Sequence, residues 1–432
     1  MFVDQNARAP GEKKENVSYD QEIQRRKRRS YRYKILSLFK KRIIEGKLKY
    51  CSVIRCSSGP VPVTRKRKDG SEYLTGSTGE ILVKHISGDG SRHGYSNMYR
   101  CGASLLCPVC SAIIRYYRLL EILKVIRTMY EKGYTLAHIT LTASHDYKTN
   151  LGYFKEKFVA AEDQLKTSRS YKAFKKRIGL KHHIRVVEIT DDHPDSKQKT
   201  GWHFHIHQIV FIKRDLLYKS REAADLQKRL QAEWVKCLQK NGLTGHVAHA
   251  AKVQYVDVGD EQDEQQIIKL GEYVAKAMSF ELSGLPAKKG KGANNRRVTI
   301  WELQKMVLER DDERLYQRYN EYIEGIKGVN WIRFSKGLRD FCGIEKKTDQ
   351  EIVQQQNSVG EEKYVFQVNE FAKISRLGFQ GYILNVGENA IERGIDSRDE
   401  IRKFVRLVED DIDFIETDDY NLVCKSTGEV IA

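Results

Sequence analysis

The segment 201–212 alternates three histidines with aromatic or apolar residues and then continues as an apolar stretch. A period of two is typical of a β-strand, and it places His203, His205 and His207 on one face of that strand. Neutral imidazoles presented together form most of a divalent-metal site and need one further ligand from a neighbouring element. Surface histidines beside a buried strand are the simpler alternative, but three on one face of a short strand favour metal binding.

The further ligand is expected from an adjacent strand, where Glu188 lies among β-branched apolar residues. A carboxylate is costly to bury in such surroundings unless it meets a charge or a metal. An exposed glutamate at a strand edge is the alternative. Mixed imidazole and carboxylate ligands suit Mn²⁺ or Mg²⁺ used as a Lewis acid on a phosphate group.

A second cluster of metal-ligand type lies upstream, where Cys101, Cys107 and Cys110 fall within ten residues. Cys107 and Cys110 form a Cys-x-x-Cys pair, and Cys101 adds a third thiolate. One more ligand would close a tetrahedral structural zinc site. Such a site would stabilise the fold and take no part in catalysis.

Cys56 is the preferred fourth ligand of this zinc site, with Cys51 second and His93 third. A redox Cys-x-x-Cys pair is one alternative, although such pairs usually open a helix after a strand in a compact fold. Buried free cysteines are the other. The cysteines lie in a glycine-rich region with few core-forming residues, and this setting favours zinc.

A phenol and an amine stand together in a stretch, 261–281, that is predicted to be helical. Tyr273 and Lys276 are three residues apart and therefore share a face of that helix. A cation near the phenol stabilises the phenolate, which would be a strong nucleophile towards a metal-bound phosphate. Because the chain contains 23 tyrosines, most of them structural, this pair alone does not identify a nucleophile.

The composition favours a polyanionic partner. The chain has 432 residues, with 76 Lys and Arg against 58 Asp and Glu, which gives a formal net charge of +18. Basic side chains release counterions when they bind nucleic acid, and aromatic rings can stack on bases. A solvated basic protein, or one attracted to an anionic membrane, is the alternative.

The sequence also bears on the compartment. No apolar run is long enough to cross a bilayer, and residues 1–34 lack the apolar core of a secretory signal. We therefore expect a cytoplasmic protein without a membrane partner. In a reducing compartment, eight cysteines indicate metal ligation or core filling rather than disulfides.

The histidine strand belongs to a predicted α+β domain over residues 113–285, in which strands alternate with helices and neighbouring strands are antiparallel. Its predicted strands are 136–143, 183–190, 202–213 and 251–258. Its predicted helices are 112–132, 150–177, 215–241 and 261–281. Together they would form a central antiparallel sheet with helices behind it.

The rest of the chain divides by composition. The predicted parts are a basic N-terminal arm (1–50) with a helix over 31–45, a zinc-stapled unit (51–112), a basic loop and helical extension (286–345), a Gln/Glu-rich linker (346–363) and a small C-terminal region (364–432). The stretch 286–297 is predicted to be a flexible loop suited to contacting phosphates. Its candidate nucleic-acid-binding residues are Lys288, Lys289, Lys291, Arg296 and Arg297.

The order of the motifs resembles the rolling-circle replication initiators of the HUH endonuclease superfamily. The segment 138–142 (His-Ile-Thr-Leu-Thr) resembles their first motif, 205–207 (His-Ile-His) the motif that names the superfamily, and 272–276 (Glu-Tyr-Val-Ala-Lys) the third. The cysteine cluster ahead of these motifs and the segment 331–338 behind them are similar to plasmid Rep proteins of Gram-positive bacteria. The resemblance covers residues 50–343 and, more faintly, 360–395.

The resemblance implies a fold and a metal site. The sheet would be the HUH, or ferredoxin-like, palm, with a zinc-stapled N-terminal unit and a helical C-terminal extension. His205 and His207, the pair nearest the apolar run, would hold the catalytic metal. His203 shares their face and ranks after Glu188 as a substitute ligand or phosphate contact.

The resemblance also implies a reaction, in which Tyr273 nicks one strand of a plasmid origin and leaves a 5′-phosphotyrosine link and a free 3′-hydroxyl primer. Glu272 and Lys276 accompany the tyrosine in this motif. Relatives carry a glutamate one helical turn before the tyrosine, where this chain has Lys269. Which carboxylate activates water at termination is therefore open, with Glu272 and Glu281 nearby.

The implied partners are origin DNA, presented as a single strand or a hairpin with adjoining duplex, and host enzymes. The chain has no Gly-x-x-x-x-Gly-Lys-Ser/Thr segment, so strand separation is expected from a host helicase and extension from a host DNA polymerase. Two other functions stay open. One is a relaxase or transposase of the same superfamily, and the other is a non-enzymatic, zinc-dependent DNA-binding regulator in which Tyr273 and the histidines are structural.

Overall fold

The computed structural model describes residues 19–67, 72–77, 80–85, 92–197, 199–213, 220–255, 297–354, 362–410, 413–417, 422–425 and 430. The chain forms two compact units. Met1–Tyr117 and Lys347–Ala432 make up one, called the terminal unit below, and Arg118–Lys346 make up the other, called the central unit.

The helices of the described residues are α1 (Tyr19–Ile44), α2 (Pro108–Glu131), α3 (Leu151–Thr167), α4 (Arg169–Arg177), α5 (Ser220–Lys240), α6 (Val247–Ala250), α7 (Ile300–Glu309), α8 (Glu313–Gly325), α9 (Leu338–Phe341), α10 (Asp349–Gln354), α11 (Val368–Leu377), α12 (Gln380–Glu392) and α13 (Ser397–Glu409). Within these described residues, no helix combines the length and the apolar character needed to span a membrane.

The strands of the described residues are β1 (Pro62–Lys66), β2 (Glu72–Ser77), β3 (Ile81–His85), β4 (His93–Ser96), β5 (Tyr134–Leu141), β6 (His182–Asp192), β7 (His203–Lys213), β8 (Ala251–Tyr255), β9 (Arg297–Thr299), β10 (Ile332–Phe334), β11 (Glu362–Phe366), β12 (Phe414–Glu416) and β13 (Leu422–Cys424). A short 3₁₀ helix, Ser52–Arg55, precedes β1.

The central unit is built on an antiparallel sheet with the strand order β10-β6-β7-β5-β8, and β9 also pairs with β6. The mixture of helices and antiparallel strands confirms the α+β class predicted from the sequence. The histidine strand, β7, lies between β5 and β6 and is hydrogen-bonded to both. Side chains on β7 therefore have neighbours on two strands.

One face of this sheet packs against helices α3, α4 and α5. The Phe204 ring lies 5.2 Å from that of Phe158, which in turn lies 5.1 Å from Trp234. The Tyr171 hydroxyl donates a hydrogen bond to Gln208 Oε1 at 3.2 Å. Since residues two apart on a strand share a face, the alternate apolar positions of β7 are buried here and its histidines lie on the opposite face.

The start of β7 is fixed by Gly201 and Trp202. Gly201 has φ +84°, and a Cβ at this position would lie 2.8 Å from Tyr147 Cα, so a side chain cannot fit. The buried Trp202 stacks on Tyr322 at 5.9 Å, and its indole nitrogen donates to Glu321 at 2.8 Å. Helix α8 thereby holds the chain where the histidines begin.

Several predicted boundaries shift in the structure. The helix predicted over 150–177 is two helices, because the Ser168 side chain accepts a hydrogen bond from Tyr171 N and caps α4. The helix predicted from 112 begins at Pro108, so Cys110 lies within α2. The predicted helix 261–281 lies outside the described residues.

The terminal unit contains most of the predicted basic arm. Helix α1 begins twelve residues before the helix predicted at 31, and it buries Arg29, Tyr33, Leu36 and Phe39. It lies close to α12, where a Cβ at Gly381 would be 2.8 Å from Ser30 N. The described parts of the N-terminal and C-terminal segments therefore pack in one unit with the cysteine-rich segment.

Candidate metal centres

The register of the sheet brings Glu188 to the histidines of β7. Glu188 lies directly opposite His205 in the β6–β7 pairing, and Val186 lies opposite His207. Directly paired residues point to the same face of a sheet, and Glu188 Oε2 lies 2.6 Å from His207 Nε2. Ligand atoms of Glu188, His205 and His207 all lie within 4.8 Å of one another, so the three could hold one metal ion.

The protonation states of His205 and Glu188 suit a metal. Burial lowers the pKa of His205 to about 3, so this imidazole is neutral at physiological pH. Burial raises the pKa of Glu188, but the hydrogen bond with His207 outweighs it, helped by the charge of Arg297, and the net pKa lies below the ordinary value. Neutral imidazoles and an ionised carboxylate are the forms that coordinate a divalent ion, and this donor set fits Mn²⁺ or Mg²⁺.

Strand β5 orients His207 from its other side. His138 Nε2 lies 3.1 Å from His207 Nδ1, and the two rings stack at 5.1 Å. The Thr140 hydroxyl lies 3.3 Å from the same nitrogen. A metal-ligating histidine commonly uses its second ring nitrogen in this way, which fixes the tautomer and the ring direction. A period of two places His138 and Thr140 on one face of the predicted strand 136–143, but the sequence does not show that β7 would be the neighbour of that strand.

His203 lies beside His205 but outside the close group. Their Nε2 atoms are in contact, and the ring centroids are 3.5 Å apart. Among the described residues, the group whose ligand atoms converge is Glu188, His205 and His207, without His203. On its other side His203 meets His145, with ring centroids 4.6 Å apart. Sequence reasoning did not single out His145, which lies in a loop after β5.

In the terminal unit, the structure brings Cys56 to Cys101, Cys107 and Cys110. The Sγ atom of Cys56 lies 3.5 Å from that of Cys110 and 3.6 Å from that of Cys107, and Cys101 Sγ lies 3.8 Å from Cys110 Sγ. A tetrahedral site with Zn–S bonds of about 2.3 Å separates its sulfurs by about 3.8 Å. These distances are close to that value and too long for a disulfide.

The other two candidates for the fourth zinc ligand lie elsewhere. Cys51 is half-buried and does not belong to the convergent group of the described residues. His93 is fully buried, and its backbone N–H donates to Glu388 at 2.9 Å. The fold thus favours Cys56, which directly follows the 3₁₀ helix, over Cys51 and His93.

Two buried cations, Lys40 and Arg100, stand near the sulfurs. Lys40 Nζ donates to Ser58 Oγ at 2.7 Å, and Arg100 Nη1 donates to Ser57 Oγ at 2.7 Å. Burial lowers the pKa of Lys40, and the charges of three cysteines oppose this shift. A zinc ion with four thiolates carries a net charge of −2, so two buried cations beside it provide the matching charge. Neutral, free thiols would leave these cations without that compensation.

The proposed nucleophile and most of the basic loop lie outside the described residues. This holds for Glu272, Tyr273, Lys276, Lys288, Lys289, Lys291 and Arg296. Arg297 is described, and it differs from the prediction of a flexible loop, because it begins strand β9 and pairs with Asp192 of β6. Backbone pairing to β6 fixes its position at the edge of the sheet.

Comparison with known proteins shows a distant similarity. The chain is 25% identical over 307 residues to a curated protein named "Protein rep" from Streptomyces lividans. The match covers 57% of this chain and 64% of that protein, so the chain spans less than two thirds of its relative's length. No protein-family model matches the chain. No solved structure matches it either.

Proposed function

We propose that the chain is a plasmid replication initiator that nicks and rejoins one DNA strand at its origin. The observation that carries the proposal is the convergence of Glu188, His205 and His207 on one face of an antiparallel sheet, opposite the face that packs against helices. The similarity to "Protein rep" supports the replication role over that of a relaxase or a transposase. An initiator of this kind would act on plasmid DNA in the bacterial cytoplasm.

Different residues of the chain would bind the metal, attack the phosphate and stabilise the phenolate. Glu188, His205 and His207 would hold Mn²⁺ or Mg²⁺, which supplies Lewis-acid polarisation of the scissile phosphate when bound. The Tyr273 oxygen bonds to phosphorus while the bond to the 3′ oxygen breaks, the phenol loses its proton, and the 3′ oxygen gains one. Lys276, predicted from its spacing to share a helix face with Tyr273, would stabilise the phenolate.

The cleavage needs no external energy source. One phosphodiester is exchanged for a phosphotyrosine ester of similar free energy, and the step can therefore run backwards to rejoin the strand. Hydrolysis of the link at termination needs a carboxylate to activate water. Glu272 and Glu281 are the candidates near the nucleophile, since position 269 is a lysine.

The four cysteines would bind zinc and hold the terminal unit together. The buried cations Lys40 and Arg100 support a charged metal–thiolate group over a redox pair. This assignment is common to the initiator and to a zinc-dependent DNA-binding regulator. The histidine–glutamate group favours the initiator, because a regulator has no need of a second, mixed-ligand metal site.

A covalent-capture assay tests the function. The full-length protein is incubated with Mn²⁺ and a library of single-stranded oligonucleotides of random sequence, and SDS-stable protein–DNA adducts are isolated and sequenced. An initiator gives adducts that share a sequence, and the Tyr273→Phe variant or EDTA abolishes them. A regulator binds DNA without forming an adduct. Rescue of a replication-defective plasmid by the wild type, but not by Tyr273→Phe, separates an initiator from a relaxase.

A further inference from the structure

Arg297 carries a guanidinium that is fixed from several sides at the edge of the histidine-bearing face. Its partner in the β6–β9 pairing, Asp192, lies four residues from Glu188 on β6. Directly paired residues share a face, as do residues an even number apart on a strand. Arg297, Asp192 and Glu188 therefore all lie on the face that carries the histidines.

Two neighbours fix the direction of the guanidinium. Arg297 Nη2 donates to Thr200 Oγ1 at 2.9 Å and lies 3.3 Å from His145 Nε2. The Nδ1 atom of His145 lies 2.6 Å from the Thr200 carbonyl oxygen and must donate to it, so Nε2 carries the lone pair that accepts from Arg297. The two protons of Nη2 are thus both used.

The segment that contains Thr200, which accepts the hydrogen bond from Arg297, is itself anchored by Asp192. The Asp192 carboxylate accepts hydrogen bonds from the Thr200 hydroxyl at 2.9 Å and from Gly201 N at 2.7 Å. Because the Thr200 hydroxyl donates to Asp192, its lone pairs face Arg297. In this network each donor meets an acceptor. The network therefore fixes the Nη2 atom of Arg297 before any ligand binds.

The other terminal nitrogen of the guanidinium, Nη1, can still donate hydrogen bonds. Arg297 Nη1 is buried from solvent and has no hydrogen-bond partner within the part of the chain that the structure describes. A buried guanidinium nitrogen without a partner costs free energy unless a ligand satisfies it. Arg297 lies on the face that carries Glu188 and the histidines, and the rings of His145 and His203 connect it to His205. An anion is therefore expected beside the metal group.

We infer that Arg297 binds a phosphodiester group of the DNA strand next to the phosphate held at the metal group. The inference rests on the proposed function for the identity of the ligand. Contacts run from Arg297 through the rings of His145 and His203 to His205, with centroid spacings of 4.6 Å and 3.5 Å. Two rings stand between the guanidinium and the nearest metal ligand, which places its phosphate beside the scissile one. With Nη2 fully used, the two protons of Nη1 remain to donate charge-assisted hydrogen bonds to the phosphate oxygens.

The first test measures binding of a fluorescent single-stranded oligo(dT) over a series of salt concentrations, with EDTA present and no metal. Arg297→Ala should lower the affinity about tenfold, the effect of losing a charge-assisted hydrogen bond. It should also reduce the slope of log affinity against log salt by about 0.7, the value for one phosphate contact on a single strand. Arg229→Ala, an exposed arginine on α5 behind the sheet, is the matched control and should change neither.

Arg297→Lys keeps the charge without the fork, and it should retain the salt slope while losing part of the affinity. An Arg297→Ala protein with wild-type affinity and slope would overturn the inference. A loss of melting temperature in Arg297→Ala with unchanged salt slope would also overturn it, because that result assigns the residue a structural role only. These measurements need no cleavage, so they decide the inference even if the wild type forms no adduct.

The second test locates the phosphate on the captured oligonucleotide. A neutral methylphosphonate is placed at one linkage at a time, and each substrate is assayed with the wild type and with Arg297→Ala. At one linkage adjoining the cleavage site, the methylphosphonate should lower adduct formation by the wild type about tenfold. Adduct formation by Arg297→Ala should not change. Two results would contradict the placement of this phosphate beside the scissile one. Either both proteins lose adduct formation equally at every linkage, or they differ only at the scissile linkage itself. Absence of any adduct with the wild type would instead count against the proposed function.

Discussion

Glu188 Oε2 lies 2.6 Å from His207 Nε2, although the residue directly opposite Glu188 in the strand pairing is His205. The carboxylate thus reaches diagonally across two neighbouring strands and lies between two imidazoles. A side chain that only lined a strand edge would face its direct partner or solvent. This diagonal contact makes Glu188 the element of the group whose removal should be most informative.

We predict that Glu188→Gln weakens Mn²⁺ binding by more than about 100-fold, the upper range for loss of a supporting contact, because it removes the single negative charge of the group. Isothermal titration of zinc-replete, full-length protein with Mn²⁺ measures the effect. Glu156→Gln, an exposed glutamate on α3, is the control. Unchanged Mn²⁺ binding in Glu188→Gln would show that the three side chains do not form a metal site.

The support that β5 gives to His207 should be weaker but measurable. Thr140→Val keeps the shape of the side chain and removes the hydroxyl near His207 Nδ1, so Mn²⁺ affinity should fall by about tenfold. Thr142→Val removes a hydroxyl that donates to His249 O and should leave the affinity unchanged. If both variants bind Mn²⁺ equally well, Thr140 does not orient the histidine.

Zinc binding by the four cysteines gives a separate prediction. Cys107→Ser should release the metal, measured by elemental analysis, and lower the melting temperature by roughly 10 °C or more, because a structural zinc contributes several kcal/mol to folding. Cys237→Ser, at a buried free cysteine of α5, should keep the zinc. A wild-type protein that folds and contains no zinc would refute the assignment.

The charge beside this cluster can be tested at Lys40. Lys40→Met keeps most of the side chain's apolar stem but removes the ammonium, and it should weaken zinc binding by about tenfold. Competition with a chromogenic chelator measures the affinity. Lys41→Met, whose side chain is 66% exposed on the same helix, is the matched control. Equal zinc retention in the two variants would contradict a role for Lys40 as counter-charge.

The sequence predicts those features of the two metal centres that depend on residues close together in the chain. The period of two placed the histidines on one face, and the cysteine spacing predicted three members of the sulfur cluster. Glu188 was singled out because a carboxylate among β-branched apolar residues stands out, whereas Cys56 was preferred to Cys51 and His93 without a local signal of its own. The contacts of His138, Thr140 and His145 depend on which strands and loops become neighbours, and a single sequence does not specify that pairing.

The basic N-terminal segment shows the same limit. The run of arginines belongs to the predicted basic N-terminal arm (1–50), yet Arg29 is buried and forms an ion pair with Glu388 at 2.7 Å. Arg25 also reaches this carboxylate at 2.7 Å, although more than 360 residues separate the two in sequence. The partner of a charge run can lie anywhere in the chain, and composition alone does not reveal it.

This buried carboxylate predicts how stability depends on pH. Burial raises the pKa of Glu388, but the charges of Arg29 and Arg25 and their hydrogen bonds lower it far below its ordinary value of 4.5. A depressed folded-state pKa contributes stability above the unfolded-state value, and this contribution is lost as the pH falls through the folded-state value. Glu388→Gln should therefore destabilise the protein at neutral pH by about 3–5 kcal/mol, because it removes the carboxylate that neutralises the buried charge of Arg29.

The difference in unfolding free energy between the wild type and Glu388→Gln should be constant well above the ordinary pKa of 4.5. It should narrow progressively as the pH falls through that value, because the unfolded wild type then takes up a proton. Urea unfolding at a series of pH values measures both proteins, with Glu392→Gln, an exposed partner of Arg26, as the control. The zinc content of each sample must be matched, since acid also protonates the cysteines. A difference in unfolding free energy that stays constant down to pH 3 would mean that Glu388 does not ionise differently in the folded and unfolded chains.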